Sequence, residues 1–491
     1  MSTTLLEIAS VTDGVLTGSS EIVAQDITHD SRRCGPGTIF VAIKGLKVNG
    51  NKFVPQAIER GSNAIISEDE PPKNFSGGWI QVRNPRQALA QASAAVFKYP
   101  TKQLKLVGIT GTNGKTTTAH LVDSIIRAHD GISAIMGTIN ARIGTESVKA
   151  EHTTPEASEV QRFLRRAVDT GAHAAVMEVS SHSLDMHRVD ACRFEVAAFT
   201  NLTRDHLDYH GTMDDYFAVK RRLFNGEVGS PRYAIINIDD PRGNELVKAS
   251  TGTVITYGLK YDADVKTDMF SLTLSGLNFI ASTPKGSIHV SSPLVGRPHV
   301  YNILAAIGIG IALGYDQETI ETGINTCPVV EGRFERVPCN EDFAVIVDYA
   351  HTDDALRNVL KTAREVARNR IITVFGCGGD RDRTKRPLMG QAAARFSDVV
   401  IVTSDNPRSE DPMDIIAEIE PGLESIGKPY LKIPDRREAI HRAIKEAQPG
   451  DLVLLAGKGH EDYQVLKDRT LHFDDREVAR EALAARRAGV L

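Results

Sequence analysis

Residues Ile109 to Thr118 read ITGTNGKTTT, a glycine-rich loop ending in Gly-Lys-Thr between an apolar run and an amphipathic one. It constrains the fold more than any other feature, because such a loop must join a buried strand to the start of a helix. Leu104 to Ile109 reads as the strand, and Thr116 to Ala128 has helical spacing. The backbone N–H groups of Gly111, Asn113 and Gly114 are then expected to face the β- and γ-phosphates of a nucleoside triphosphate. Lys115 adds a point charge and Thr116 a magnesium ligand. Ile109 stands where the common phosphate-loop pattern has a glycine, which marks a variant loop.

A chain of 491 residues exceeds one ordinary core and suggests about three domains at roughly 150 residues each. Its 41% hydrophobic and 25% charged residues are those of a globular protein, and a net charge of −5 offers no basic field for nucleic acid. The five cysteines, at 34, 192, 327, 339 and 377, form neither a paired framework nor a metal-ligand spacing, as expected of a reducing compartment. The first residues lack the pattern of a signal peptide. The longest uncharged apolar stretch, Ile303 to Gly314, is too short to span a bilayer and is Gly/Ala-rich, like a tightly packed internal helix. These features lead us to expect a cytoplasmic protein with no membrane insertion.

Pattern changes divide the chain into residues 1–103, 104–331 and 332–491. The first stretch has short strand-like runs at Thr38 to Ile43 and Ala64 to Ser67. In the second, Ala174 to Val179, Val196 to Thr200 and Tyr233 to Ile238 end in polar residues, as parallel strands do at a functional edge. Thr253 to Val295 reads as a small antiparallel patch and Tyr301 to Leu313 as a helix. In the third, strands at Ala344 to Val347, Ile371 to Phe375, Val399 to Thr403 and Leu452 to Ala456 alternate with helices at Asp354 to Asn369, Leu388 to Phe396 and Arg436 to Ala447. Each of these strands runs into a polar cluster: DYAH at 348–351, CGGDRD at 377–382, SDNPR at 404–408 and GKGHE at 457–461. In doubly wound sheets the ligand lies at such carboxyl ends.

Several segments carry a family resemblance: GTNGKTTT, TTP at 153–155, EVSSH at 178–182, NLTRDHLDYHG at 201–211, YFAVKRRLF at 216–224, HVYNILAA at 299–306, GRFE at 332–335 and DYAHT at 348–352. In order and spacing they resemble the Mur ligases, ATP-dependent amide ligases of peptidoglycan precursor synthesis. The resemblance implies an α/β fold of three domains: an N-terminal domain for the UDP-linked substrate, a central P-loop-type ATPase domain, and a C-terminal Rossmann-like domain for the incoming amino acid. DSR at 30–32 and DNPR at 405–408 are similar to members that add the third amino acid, and DNPR resembles the form found in those that add meso-diaminopimelate. That amino acid carries a carboxylate lysine lacks, which suits a planar guanidinium, so Arg408 is the expected selector.

Carried over by position, the resemblance implies that Gly111, Thr112, Asn113, Gly114, Lys115, Thr116, Thr117, Asn302, Arg333 and Asp348 bind ATP. Ser31, Thr153, Thr154, Ser180 and Arg188 would bind the UDP-linked substrate, and Arg381, Asp405, Asn406, Arg408, Gly457 and Glu461 diaminopimelate. Thr116, Glu178, His206 and Lys220 would serve Mg²⁺, with Lys220 carbamylated to become an anionic metal-bridging group. Lys115, Lys220 and Arg333 are the expected catalytic residues. The partners implied are small molecules, UDP-MurNAc-L-Ala-D-Glu, meso-diaminopimelate and ATP, acting on a monomer. Met186 stands where the family has glutamine. Asp353 replaces a proline at a helix start, a change read as neutral. A lysine-adding ligase, a folylpolyglutamate-type ligase and a nucleotide-binding protein without ligase activity are the alternatives.

Overall fold

The computed structural model describes residues 3–45, 48–73 and 75–490. Three large sheets each draw their strands from one contiguous stretch of chain. The first orders β1 (Val15–Thr17), β5 (Gly78–Gln81), β4 (Ala64–Ser67), β3 (Thr38–Val41) and β2 (Asp26–Thr28), parallel except at β1. Their apolar residues pack with the helix Pro85–Val96, which Asn84 caps by accepting from the N–H groups of Arg86 and Gln87.

The second sheet is built around β6 (Lys105–Thr110), the strand that feeds the glycine loop. It is flanked by β8 (Ala174–Glu178) and β9 (Phe194–Phe199), beyond which lie β7 (Ala134–Met136) on one side and β10 (Tyr233–Asn237) and β11 (Thr253–Gly258) on the other, all parallel. Strand β11 corrects the sequence reading. Residues 253–258 extend the parallel run, and antiparallel pairing begins only with Val265–Lys266 against Gly276–Thr283. Thr253 to Thr256 are exposed or half-exposed, as in a surface hairpin, while their pairing with β10 is parallel.

Two helices cover the face of this sheet under the loop. Helix α1 (Lys115–Asp130) starts directly from the loop and ends at Gly131. Helix α2 (Arg297–Leu313) is apolar all round and buried from Asn302 to Leu313, the internal helix its Gly/Ala content suggests. A Cβ on Gly308 would stand 3.0 Å from Ile235, and one on Gly310 2.9 Å from Ile320, so the small residues let it sit between the sheet and the helix Gln317–Asn325.

The third sheet orders Glu335–Val337, β12 (Ala344–Asp348), β15 (Leu452–Ala456), β13 (Ile371–Phe375), β14 (Val399–Val402) and Tyr430–Lys432, parallel after its first strand. Helix α3 (Asp353–Val366) follows β12, with Thr352 as its N-cap. Sheets β6–β11 and β12–β15 turn their carboxyl ends toward a common cleft of about 560 Å³. Among the described residues no helix is long and apolar enough to cross a membrane.

Candidate active site

Strand β6 leads into Gly111, whose φ of 146° and contact with Thr200 leave no room for a side chain; a Cβ would lie 1.9 Å from Thr200 Oγ1. The loop is then fastened to the end of β9. Thr112 N donates to Asn201 O at 2.8 Å, and Thr200 Oγ1 donates to Asn113 O at 2.6 Å. Asn113 N donates to Asn201 Oδ1 at 2.9 Å, which corrects one expectation: this N–H is turned into the protein and is taken from the set facing a phosphate. The donors that remain belong to the helix end. The first bond within α1 runs from Thr118 N to Gly114 O, so the N–H groups of Lys115, Thr116 and Thr117 precede the helical ladder at its positive pole.

Two lysines converge on this loop. Lys115 Nζ donates to Gly111 O at 2.9 Å and to Thr112 O at 2.8 Å, and Lys220 Nζ donates to the same Gly111 O at 2.9 Å. Lys220, on the helix Met213–Arg221, is 1% exposed and lies over the Tyr216 ring. Burial, reinforced by the neighbouring Lys115 charge, holds its amine well below the usual lysine range, and burial lowers Lys115 too. Thr116 Oγ1 donates to Glu178 Oε2 at 3.0 Å, while Arg333 Nη2 donates to Thr116 Oγ1 at 3.1 Å. Glu178, buried at the end of β8, also accepts from Thr138 N at 2.7 Å. Asn302 presses on the far side, where a Cβ on Gly114 would meet its Oδ1 at 2.4 Å.

Most of the remaining expected residues gather, and some stand apart. Thr154 Oγ1 donates to Glu178 O at 2.8 Å and accepts from Ser180 N, Arg188 Nη1 donates to Thr154 O at 2.9 Å, and Thr153 pairs with Thr138 beside Glu178. Ser31 belongs to the first sheet's edge, where its hydroxyl donates to Gln56, with no recorded bond to that group. Met186 lies against Arg188, its sulfur 3.5 Å from Nη2. His206 lines the cleft rather than bonding to the Thr116–Glu178 pair. It adopts a φ of 53°, packs on His182, and is held by burial at a pKa of about 4, hence as a neutral imidazole near pH 7.

All six residues expected to hold an amino acid line that cleft: Arg381, Asp405, Asn406, Arg408, Gly457 and Glu461. Arg408, also at positive φ, donates from Nη1 to Gly379 O at 2.7 Å. Asn406 Nδ2 donates to Glu461 Oε2 at 2.8 Å, and Gly457 exposes its backbone to Asp405, whose Oδ2 would be 2.7 Å from a Cβ there. Arg381 and Arg408, with Asp405 and Glu461 among the carboxylates of the same cleft, suit a ligand that carries charges of both signs. Asp348 ends β12, accepts from Phe334 N at 2.7 Å and is raised by burial to about 6. Arg333 lies over the Tyr349 ring, so it touches the third sheet while bonding to the phosphate-loop threonine.

Sequence reading missed the groups that join the two halves. Arg204 pairs with Asp353 at 3.0 Å, and Asn113 Nδ2 donates to Asp354 Oδ2 at 3.1 Å. Asp353 is therefore a bridging group rather than a neutral helix start. The signal for it was the departure from proline; its partner lies 149 residues away and leaves no local pattern.

Together these features define an α/β enzyme of the nucleotide-dependent ligase class, with a glycine loop and helix start beside a cleft lined by side chains of both charges. The chain belongs to the Mur ligase family: models described as the Mur ligase middle domain, the glutamate ligase domain and the Mur ligase family catalytic domain match residues 109–310, 332–459 and 24–97. Similar relatives include the UDP-N-acetylmuramoyl-L-alanyl-D-glutamate--2,6-diaminopimelate ligases of Solibacter usitatus, 48% identical over 93% of each chain, and of Geobacter metallireducens, 46% identical over 94% of each. A solved structure of an enzyme with the same printed name aligns over 99% of this chain and 100% of its own, with a TM-score of 0.71 and 34% identity.

Proposed function

We propose that this chain is an ATP-dependent amide ligase that adds meso-2,6-diaminopimelate to the D-glutamate of UDP-MurNAc-L-Ala-D-Glu during peptidoglycan precursor synthesis. The observation that carries the reading is the pairing of a phosphate-binding helix start, with Lys115, Thr116 and Arg333, and a cleft holding Arg381, Arg408, Asp405 and Glu461. Residues 1–103 take the UDP end through Ser31, residues 104–331 the ATP, and residues 332–491 the amino acid. Thr153, Thr154, Ser180 and Arg188 hold the peptidyl portion beside Glu178.

The D-glutamate γ-carboxylate attacks the γ-phosphorus of ATP, releasing ADP and forming an acyl phosphate. The unprotonated amine of diaminopimelate then attacks that carbonyl, and phosphate leaves as the amide forms. Lys115, the N–H groups of Lys115 to Thr117, and Arg333 neutralise charge that builds on the transferring phosphoryl group. Asn302 and Asp348 complete the nucleotide site. Arg381 and Arg408 receive the diaminopimelate carboxylates, while Asp405, Asn406 and Glu461 receive its ammonium, so that the other amine is presented to the carbonyl.

Thr116 and Glu178, hydrogen-bonded to each other, offer two oxygen donors of the kind Mg²⁺ shares with substrate phosphates, and His206, a neutral imidazole lining the cleft, would have to come to them as a third. When bound, Mg²⁺ would supply charge neutralisation on phosphate oxygens. Lys220 in its ammonium form would repel a cation. Burial and the Lys115 charge favour its unprotonated form, and an unprotonated amine adds to CO₂, forming an N–C bond and releasing a proton. The carbamate so formed would give the site its remaining anionic ligand.

The reading is tested by measuring tripeptide product and phosphate release with ATP, Mg²⁺ and UDP-MurNAc-L-Ala-D-Glu, in parallel with meso-diaminopimelate, L-lysine and no amine. Product with diaminopimelate alone is expected; product with lysine alone would overturn the pocket assignment, and none with either the ligase reading.

A further inference from the structure

Beneath the amino-acid cleft lies a lysine that the mechanism above does not use. Lys458 is fully buried, with no solvent-exposed area. Its Nζ stands 3.3 Å from Asn406 Oδ1 and 3.4 Å from Glu461 Oε2, with the Tyr463 ring 5.7 Å away. A buried ammonium is costly unless paired, and a carboxylate and an amide oxygen are what this one has. The loop carrying it is held from below: Arg436 and Asp475, both fully buried, pair at 2.6 Å, and Arg436 Nη2 donates to Ala456 O, the last residue of β15 before Gly457.

Asn406 makes four contacts in this network. It donates to Glu461 Oε2, its Oδ1 accepts from Lys458 and from Val465 N at 2.9 Å, and its own N–H donates to Asp405. Lys458 and Val465 N thus hold the amide one way round, oxygen toward these two donors and nitrogen toward Glu461. The Lys458 Nζ lies 3.4 Å from Glu461 Oε2, and it opposes the burial and the Asp405 charge that both raise Glu461.

We propose that Lys458 is a positioning residue for amino-acid selection, acting through Asn406 and Glu461 to keep an anionic, correctly oriented acceptor for the substrate's ammonium group. It touches no reacting atom. The inference rests on the functional reading above and adds to it the residue that sets the charge and orientation of the ammonium half of the pocket, opposite the guanidinium half at Arg381 and Arg408.

The test is a double-mutant cycle with Lys458→Met, Glu461→Gln and both together, scored by KM for each substrate and by ADP formation with hydroxylamine replacing the amino acid. Lys458→Met is expected to raise KM for diaminopimelate at least tenfold, to leave KM for ATP and for the UDP-linked substrate within twofold, and to leave hydroxylamine-supported turnover intact. In the Glu461→Gln background its further effect should be under twofold. An unchanged diaminopimelate KM, an equal loss for all three substrates, or an undiminished effect in the Glu461→Gln background would each overturn it. If Lys458→Met gives no cooperative melt, Lys458→Gln, which keeps a hydrogen-bond donor without the charge, is judged by the same criteria. Absence of diaminopimelate-dependent product from the wild type would instead remove the functional reading, and this inference with it.

Discussion

The phosphate loop and the amino-acid cleft solve opposite problems. The loop is local: Gly111 to Thr118 supplies its backbone donors, its lysine and its threonine hydroxyls within eight consecutive residues, and the neighbouring strand end braces it through Asn201 and Thr200. The cleft is assembled from Arg381, Asp405, Arg408 and Glu461, which follow three different strands, and from Arg204 and His206 across the opposing sheet. In the proposed function the loop handles a group common to every triphosphate, whereas the cleft must distinguish one amino acid from others. Damage to the loop should therefore abolish chemistry whatever amine is offered, and damage to the cleft should appear in one substrate's KM.

The largest effect is expected at Lys220. Lys220→Ala should lower kcat by about 10³-fold, in the range seen when a single charge-stabilising group is removed. The wild type supplied with ¹³C-bicarbonate should give a carbamate carbonyl signal by NMR that the variant lacks. Full activity in the variant would detach Lys220 from the loop's chemistry.

A second effect is on stability. His299 in α2 is buried and lowered to about 4, and its Nδ1 accepts from Asn302, the residue braced against Gly114. The unfolded chain binds this proton below about pH 6.5 and the folded chain only near pH 4. Stability is therefore fully present above about pH 6.5 and is lost as pH falls toward 4, by about 3 kcal/mol in all. His299→Gln should flatten that part of a denaturation-versus-pH curve, and an unchanged slope would remove the link.

Arg408→Lys keeps the charge and the backbone strain at φ 53° comparable but loses the planar fork. Loss of a charged hydrogen bond costs about 1.5–3 kcal/mol, so KM for diaminopimelate should rise roughly 10- to 100-fold with KM for ATP unchanged. An equal rise for both would mean that the cleft and the loop are not separable.

The smallest effect is expected at the Arg204–Asp353 pair. Its side chains are 30% and 11% exposed, so after screening it is worth about 1 kcal/mol at most, and Arg204→Ala should change turnover less than about fivefold. The effect should shrink further as salt is raised. A larger, salt-independent loss would give Arg204 a direct role with substrate.

The same contrast explains what was legible in the sequence. The loop, its strand and helix α2 were readable because their chemistry and periodicity are contiguous, and four strand ends of the third sheet were readable as polar clusters after apolar runs. The direction of Asn113 N–H was not, since it depends on an asparagine 88 residues away. Strand β11 was misread because its first four residues are exposed or half-exposed like one arm of a surface hairpin, and the sequence does not show that its partner is the parallel strand β10. That the clusters carrying Arg408 and Glu461 lie at one sheet edge was legible from their place after apolar strands, whereas their assignment to one amino-acid pocket came from family resemblance. Lys458 gave no signal of burial, as a lysine between two glycines reads as a solvated turn.

The most direct test of separate sites acting in sequence is hydroxamate formation by Arg408→Lys with ATP, Mg²⁺, UDP-MurNAc-L-Ala-D-Glu and hydroxylamine, beside tripeptide formation with subsaturating diaminopimelate. The account predicts a wild-type rate of hydroxamate and ADP release together with at least a tenfold loss of tripeptide. Equal losses in both would contradict it, because the cleft would then be needed to make the acyl phosphate as well as to consume it.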